Sequence, residues 1–217
     1  MKLNLDAGEH DDEPPELWQL ADIVAIACGG HAGDEHSMAR VIAACERQEL
    51  GAHPSYPDRA GFGRTTIVMT PAAIAEAVEA QCAALAAVAA RLGRRIEWVK
   101  PHGALYHDVI RDPAIAAAVE RGARAALGEV GFIGSRRHGE RWLREGFADR
   151  ALRPDGTLVP RGQPGALIVD PAAAAAQARR LASARDPSGN PEIDTICVHA
   201  DTPGALAIAR AVREAIA

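Results

Sequence analysis

Short apolar runs alternating with longer alanine-rich stretches constrain this chain more than any other feature. Runs rich in valine, isoleucine and leucine occur at Leu3–Asp6, Asp22–Cys28, Leu50–His53, Ile96–Lys100, Val130–Gly134 and Thr195–His199, with a less apolar one at Glu145–Arg150. Their lengths are those of strands buried on both faces. Segments of helical period lie between them. The clearest, Pro71–Leu92, carries Ile74, Val78, Cys82, Leu85, Val88 and Leu92 at steps of three or four residues, and Gly93 stops it. Thr70-Pro71, Asp112-Pro113, Asp170-Pro171 and Thr202-Pro203 each read as a cap followed by proline at the first helical position. Helices are also expected over Glu35–Arg47 and Ser135–Arg144, and a small hairpin from Thr157–Val159 and Ala166–Val169. Strand–helix alternation of this kind gives a parallel sheet, closed into a βα barrel or open and doubly wound.

The chain of 217 residues suits one domain over 1–217, because no linker-like segment interrupts the alternation. It contains 47 alanines and only eight aromatic residues, so its core calls for closely approaching helices rather than a few large anchors. A net charge of −5 argues against nucleic acid or an anionic membrane as the main partner. No apolar run approaches the roughly 18 residues of a membrane span. The MKLNLDAGEH start has no apolar secretory core, and the four scattered cysteines form no CxxC pair. A cytoplasmic protein with buried thiols is expected. Of the 24 basic residues only Lys2 and Lys100 are lysine, which makes each of them notable.

The polar chemistry follows the strands. The first run ends in Asp6, with Glu9 behind it, and the second enters a glycine-flexed loop carrying His31 and Asp34. The third ends at His53, the fourth at Lys100 and His102, the sixth at Asp149 and Arg150, and the last at His199 and Asp201. Strand C-termini of a parallel sheet or barrel converge on one face, where active sites lie. One such histidine is ordinarily a loop or capping residue, whereas four on the same face point to a site. His10, His36, His107 and His138 lack that setting and are expected at the surface. Lys100 is read either as a holder of a carboxylate or oxyanion or as a structural ion pair. The loop from His53 to Arg64 contains Gly61 and Gly63, and Arg64 is placed to meet an anion.

GxSxG, HExxH, GxxxxGK[ST] and a helix-opening GxGxxG are all absent. The chain therefore shows no nucleotide-binding signature of its own. Two chemistries remain open. Aspartate and histidine from separate strand ends can hold one divalent metal and activate water, with Asp6, His31 and His53 as candidate ligands. Alternatively, carboxylates and imidazoles act directly as acid and base on an amide carbon.

In LNLDAGE (3–9), IACGGHAGD (26–34), GAHPSYPDRAGFGR (51–64), VKPHGALYHD (99–108), GFADRAL (146–152), PDGTLVPR (154–161) and ICVHADTP (196–203) the chain resembles the LamB/YcsF family. The segments occur in family order over nearly the whole chain, and the GAHP…GFGR and KPHGALY blocks are highly specific. The resemblance implies an α/β fold, a TIM-like (β/α)7 barrel related to polysaccharide-deacetylase-like barrels. It implies hydrolysis of the cyclic amide of 5-oxoproline to L-glutamate, coupled to ATP through partner subunits B and C. Asp6, His53, Lys100 and His102 are then the catalytic candidates. Glu9, His31, Asp34, Arg64, Asp149, Arg150, His199 and Asp201 are the substrate-binding ones. The family usually has Asp at Lys2, Asn at Ala25, Tyr at Leu152 and Gly at Ala200, and is longer between Glu9 and Asp22 and between Asp112 and Phe147. The competing readings are a stand-alone metal-dependent amidase or deacetylase on the same barrel, and a degenerate binding protein for small carboxylates.

Overall fold

Each apolar run of the sequence becomes one strand of a closed parallel barrel in the computed structural model, which describes residues 1–153 and 157–217. The strands are β1 (Lys2–Ala7), β2 (Ile23–Ala27), β3 (Glu49–His53), β4 (Trp98–Val99), β5 (Gly131–Gly134), β6 (Trp142–Phe147) and β7 (Thr195–Val198). They pair in chain order, and β1 closes on β7 through the register Lys2↔Thr195 to Leu5↔Val198. The helices are α1 (Pro15–Gln19), α2 (Glu35–Ala44), α3 (Pro71–Arg91), α4 (Gly103–Arg111), α5 (Pro113–Leu127), α6 (Pro171–Ser183) and α7 (Ala205–Ile216). Side chains alternate across each strand. Leu3, Leu5 and Ala7 of β1 join the hydrophobic cluster beneath the helices, and Asn4 and Asp6 turn into the barrel. Helix α3 is long and apolar enough to cross a membrane, but it owes this to alanine, and its Ile74, Val78, Cys82, Leu85 and Val88 are buried in the core.

The caps at Thr70, Asp112 and Asp170 form as expected, each accepting from backbone N–H groups of its helix. Four expectations are corrected. Residues 135–141 form no helix; the chain passes directly from β5 to β6, which already starts at Trp142. That segment is polar all round, and Trp142 is drawn to the barrel wall by stacking on Phe132 and donating to Glu120 at 2.7 Å. Thr202 does not cap α7, because its hydroxyl donates to Asp149 at 2.5 Å, and the helix begins beyond Gly204. The runs at 157–159 and 166–169 do not pair with each other: Leu158 bridges to Leu152 and Leu167 to Arg150. Helix α2 stops at Ala44, short of Arg47. Helices α1 and α4 carry no cap-proline pair of the kind that marks α3, α5 and α6 in the sequence.

The barrel interior is polar. Lys100, at the end of β4, is buried, and its Nζ donates to Asp6 Oδ1 at 2.7 Å, Asn4 Oδ1 at 3.0 Å and Cys197 Sγ at 3.1 Å. Glu145 Oε2 on β6 lies 3.1 Å from the same nitrogen. The lower end is closed by Lys2, which donates to both Glu49 oxygens at 2.6 and 2.8 Å, and by Trp98, whose Nε1 donates to Glu49 at 2.5 Å. Gly131 leaves room for the Trp98 ring, since a Cβ there would lie 2.2 Å from it. Both lysines of the chain are thus spent on the barrel axis.

Their contributions should differ sharply. Lys100→Met strands two buried carboxylates without a counter-charge and should cost about 3–5 kcal/mol. Lys2→Met removes a half-exposed pair and should cost less than about 1 kcal/mol. Urea denaturation of both variants checks this, and equal midpoints would show that the interior cation carries no special weight.

Candidate active site

The C-terminal mouth of the barrel is assembled by backbone devices that aim particular side chains. Glu13 accepts the N–H groups of Gly8 at 2.8 Å and of Glu9 and His10 at 2.9 Å, fixing the turn after β1 so that Glu9 points inward. Gln81 of α3 clamps Ser55 through both of its backbone groups, at 3.0 and 2.8 Å, and so sets the loop after β3. In that loop Phe62 takes φ +55°, a conformation uncommon for a residue with a side chain. Its carbonyl thereby meets His102 Nε2 at 3.0 Å. Gly103 (φ +58°) admits the Gly63 carbonyl, which a Cβ would approach to 2.3 Å, and the Ala104 N–H donates to that same oxygen at 2.9 Å. The GFGR and KPHG blocks are one structural unit.

These devices bring Glu9, His31, His53 and His102 together. Glu9 Oε1 lies 3.0 Å from His31 Nε2, 3.1 Å from His102 Nδ1 and 3.6 Å from His53 Nε2. His102 Nδ1 and His53 Nε2 are 3.0 Å apart. His31 and His102 stack with ring centroids 3.6 Å apart and planes 2° from parallel, and Phe62 roofs both rings edge-on. Asp6 adjoins this group: Oδ1 is held by Lys100, and Oδ2 faces His53 Nε2 at 3.6 Å. Among the described residues, two sets of side chains offer metal-ligand atoms within 4.8 Å of one another, Glu9 with the three histidines and Asp6 with Cys197 and His199. The Lys100 ammonium already fills the second set. Of the three candidate metal ligands, His31 and His53 therefore lie in the open set, and Asp6 lies in the filled one.

Burial and charge decide the protonation states. Burial would raise the Asp6 carboxyl, but His53, Lys100 and His199 outweigh it and hold it at about 2. Glu9 is likewise held well below the carboxylate range, burial being overcome by hydrogen bonding to His102 and His31. Burial pushes His53 down to about 3 and lowers His31 as well. Lys100 stays firmly charged, since Asp6, Cys197 and Glu145 overcome its desolvation. His199 behaves in the opposite way to the other imidazoles. Despite burial it is raised, by Asp149, which accepts from its Nδ1 at 2.9 Å and from its backbone N–H at 3.0 Å. Asp149 is buried and lowered, its desolvation outweighed by His199 and Thr202.

The remaining expected residues are placed variously. Arg64 donates to Asp201 at 2.9 Å on the rim, where Arg161 also bonds Asp201. Arg150 turns into the following loop and donates to the Val159 carbonyl at 3.0 Å. Asp34 stays outside the cluster: it caps α2, accepting from the Ser37 N–H at 2.8 Å. Of the four histidines expected at the surface, His10, His36 and His107 are exposed and His138 is half-buried. Sequence reasoning did not single out Glu13, Gln81, Glu145, Phe62 or Arg161, and read Thr202 only as a helix cap. Glu145 alone left a signal, as a charge two residues before Phe147 on an inward-facing strand parity.

Comparison with known proteins agrees with this architecture. The model of the LamB/YcsF family matches residues 1–217. The chain is 42% identical to the 5-oxoprolinase A subunit of Chloroflexus aggregans, covering 99% of this chain and 94% of that one. It is also 42% identical to the corresponding 5-oxoprolinase A subunit of Methylococcus capsulatus, over 99% and 91% respectively. The crystal structure of the lactam utilization protein from Thermus thermophilus superposes with a TM-score of 0.85 at 33% identity, covering 100% of this chain and 95% of that one. With residues of the LNLDAGE, IACGGHAGD, GAHP…GFGR, KPHGALY and ICVHADTP blocks forming one mouth on a seven-stranded barrel, this chain belongs to the LamB/YcsF family.

Proposed function

We propose that this chain is the ring-opening component of an ATP-dependent 5-oxoprolinase, hydrolysing the lactam of 5-oxoproline to L-glutamate together with partner subunits B and C. The observation that carries the reading is its 42% identity, over almost the full length, to proteins named as the A subunit of 5-oxoprolinase. ATP chemistry falls to the partners, since the sequence has no phosphate loop of its own. A cytoplasmic setting suits the four free, buried cysteines.

The site supports the chemistry as follows. Hydrolysis needs a water directed at the lactam carbon, a group to take its proton, and a donor for the departing nitrogen. Asp6 is the acceptor, because Lys100 anchors one oxygen and leaves Oδ2 free toward the imidazoles. So acidic a carboxylate is a weak base, which matches a carbon already made electrophilic by phosphorylation of the lactam oxygen in the partner subunits. Opening that ring leaves a γ-glutamyl phosphate, and a second water releases inorganic phosphate to give L-glutamate. His53 and His102 flank the water. His199, whose protonated form Asp149 favours, donates to the nitrogen as the C–N bond breaks. Arg64 and Arg161, paired with Asp201 at the rim, receive the substrate carboxylate or a phosphate. Lys100 acts as a positioning residue through Asp6.

Three outcomes follow. In a glutamate-release assay, 5-oxoproline and ATP should turn over with candidate B and C subunits present and not with this chain alone. ATP-independent release by the isolated chain would favour the stand-alone amidase instead. Asp6→Asn, with fold retained by circular dichroism, should lower kcat about 10²–10⁴-fold, and a near-normal rate would remove Asp6 from its role. Asp149→Asn takes away the charge that raises His199, so the alkaline limb of the kcat profile should move to lower pH. An unmoved limb would mean that His199 is not the acid.

A further inference from the structure

Hydrogen-bond bookkeeping at the mouth leaves a specific imbalance. His53 Nδ1 lies 2.6 Å from the Lys100 carbonyl, and His102 Nε2 lies 3.0 Å from the Phe62 carbonyl. A carbonyl only accepts, so each of these nitrogens carries a ring proton, and in a ring bearing that one proton the opposite nitrogen presents a lone pair. Those lone pairs, on His53 Nε2 and His102 Nδ1, face each other at 3.0 Å with Glu9 Oε1 beside them at 3.6 and 3.1 Å. Three acceptors therefore converge on one point. One proton on His102 satisfies only one direction, whereas a cation satisfies all three at once.

We infer that Glu9, His53 and His102 form a binding site for one divalent transition-metal ion of the zinc class. The three donor atoms make a triangle with edges 3.0, 3.1 and 3.6 Å. Its circumscribed radius is about 1.9 Å, so an ion about 2.0–2.1 Å from each donor sits just off the plane. Backbone carbonyls on the far nitrogens are the outer support that metal-binding histidines ordinarily have, fixing tautomer and ring direction. Nitrogen-rich ligation favours zinc, cobalt or a neighbouring ion over magnesium or calcium. His31 is not a fourth ligand in this arrangement. Its ring is parallel to that of His102 at 3.6 Å, and two in-plane lone pairs so stacked do not meet at one ion. It supports Glu9 instead, at 3.0 Å from Oε1. Such an ion would polarise a bound water beside Asp6 Oδ2. The site concerns the ion alone and stands whatever amide the barrel opens.

The test is binding, read separately from turnover. Chelator-treated full-length protein titrated with Co2+ should take up one equivalent, with a visible d–d absorption that Zn2+ abolishes by displacement. Glu9→Gln and His102→Ala, each checked for fold by circular dichroism, should weaken Zn2+ binding about 10–100-fold in calorimetry. His107→Ala, on the exposed face of α4, should leave it unchanged. Absence of saturable uptake by the wild type, or wild-type affinity in the isosteric Glu9→Gln, overturns the inference. So does an imidazole proton between His53 and His102 that persists in 15N-detected spectra at saturating Zn2+. Glutamate release can fail while the cobalt spectrum appears, or the reverse, so the two readings fall independently.

Discussion

The ammonium of Lys100 is the interaction on which the barrel mouth depends. It meets Asp6 and Asn4 from β1, Glu145 from β6 and Cys197 from β7, all of them buried inside the barrel wall. Burying a carboxylate without a partner costs several kcal/mol, and burying Asp6 beside Glu145 without a cation would be worse. A lysine suits the position because its compact charge reaches three directions from one atom, which the planar guanidinium does not. In a chain with only one other lysine, Lys2, the residue type follows from the geometry of the site. Lys100 reads better as an internal counter-charge than as a substrate clamp, and its influence on chemistry runs through the orientation and acidity of Asp6.

Much of this was legible in the sequence, for identifiable reasons. Strands buried on both faces leave uninterrupted apolar runs, and a parallel barrel puts whatever follows them on one rim, so Asp6, His53, His102 and His199 could be grouped without coordinates. What escaped was local backbone capping that imitates or hides function in two places, and a partner distant in sequence in a third. Asp34 looked like a loop acid of the site, but the Asp34/Ser37 pair is a capping box, a local pattern that competes with any functional reading. Thr202 looked like a cap, and the buried Asp149 claims its hydroxyl. Glu13 sits in an acidic, proline-rich stretch that reads as a surface turn, yet it is buried and organises three backbone N–H groups.

The shortened segment between Asp112 and Phe147 has a structural counterpart. Parallel strands are ordinarily linked by a dozen residues or more, usually including a helix. Here residues 135–141 alone join β5 to β6. The outer wall they leave uncovered is closed by aromatic stacking of Phe132 on Trp142 and by α5, which supplies Glu120 to the indole and Arg124 over the Phe132 ring. Two of the chain's few large aromatic side chains thus stand where a helix would otherwise lie. The economy does not reach the mouth, since the residues that aim Glu9, His53 and His102 come from the loops after β1, β3 and β4.

The specificity of the GAHP…GFGR and KPHGALY blocks follows from what they must hold. A histidine with a prescribed lone-pair direction needs an acceptor on its other nitrogen, and here both acceptors are backbone carbonyls, from Lys100 and Phe62. A side-chain acceptor could be replaced by another residue type; a carbonyl is aimed only by the local fold. Phe62 must therefore adopt its left-handed conformation, Gly63 must follow it, and Gly103 must lack a Cβ so that the two loops can touch. The phenylalanine side chain then covers the His31 and His102 rings from above and limits their exposure to water. Four residues of apparently unrelated type, Lys100, Phe62, Gly63 and Gly103, serve one requirement: that His53 and His102 turn their remaining nitrogens to the same point as Glu9. The inferred ion would use those nitrogens, and on that reading these loops belong to the chemistry of the mouth rather than to the stability of the barrel.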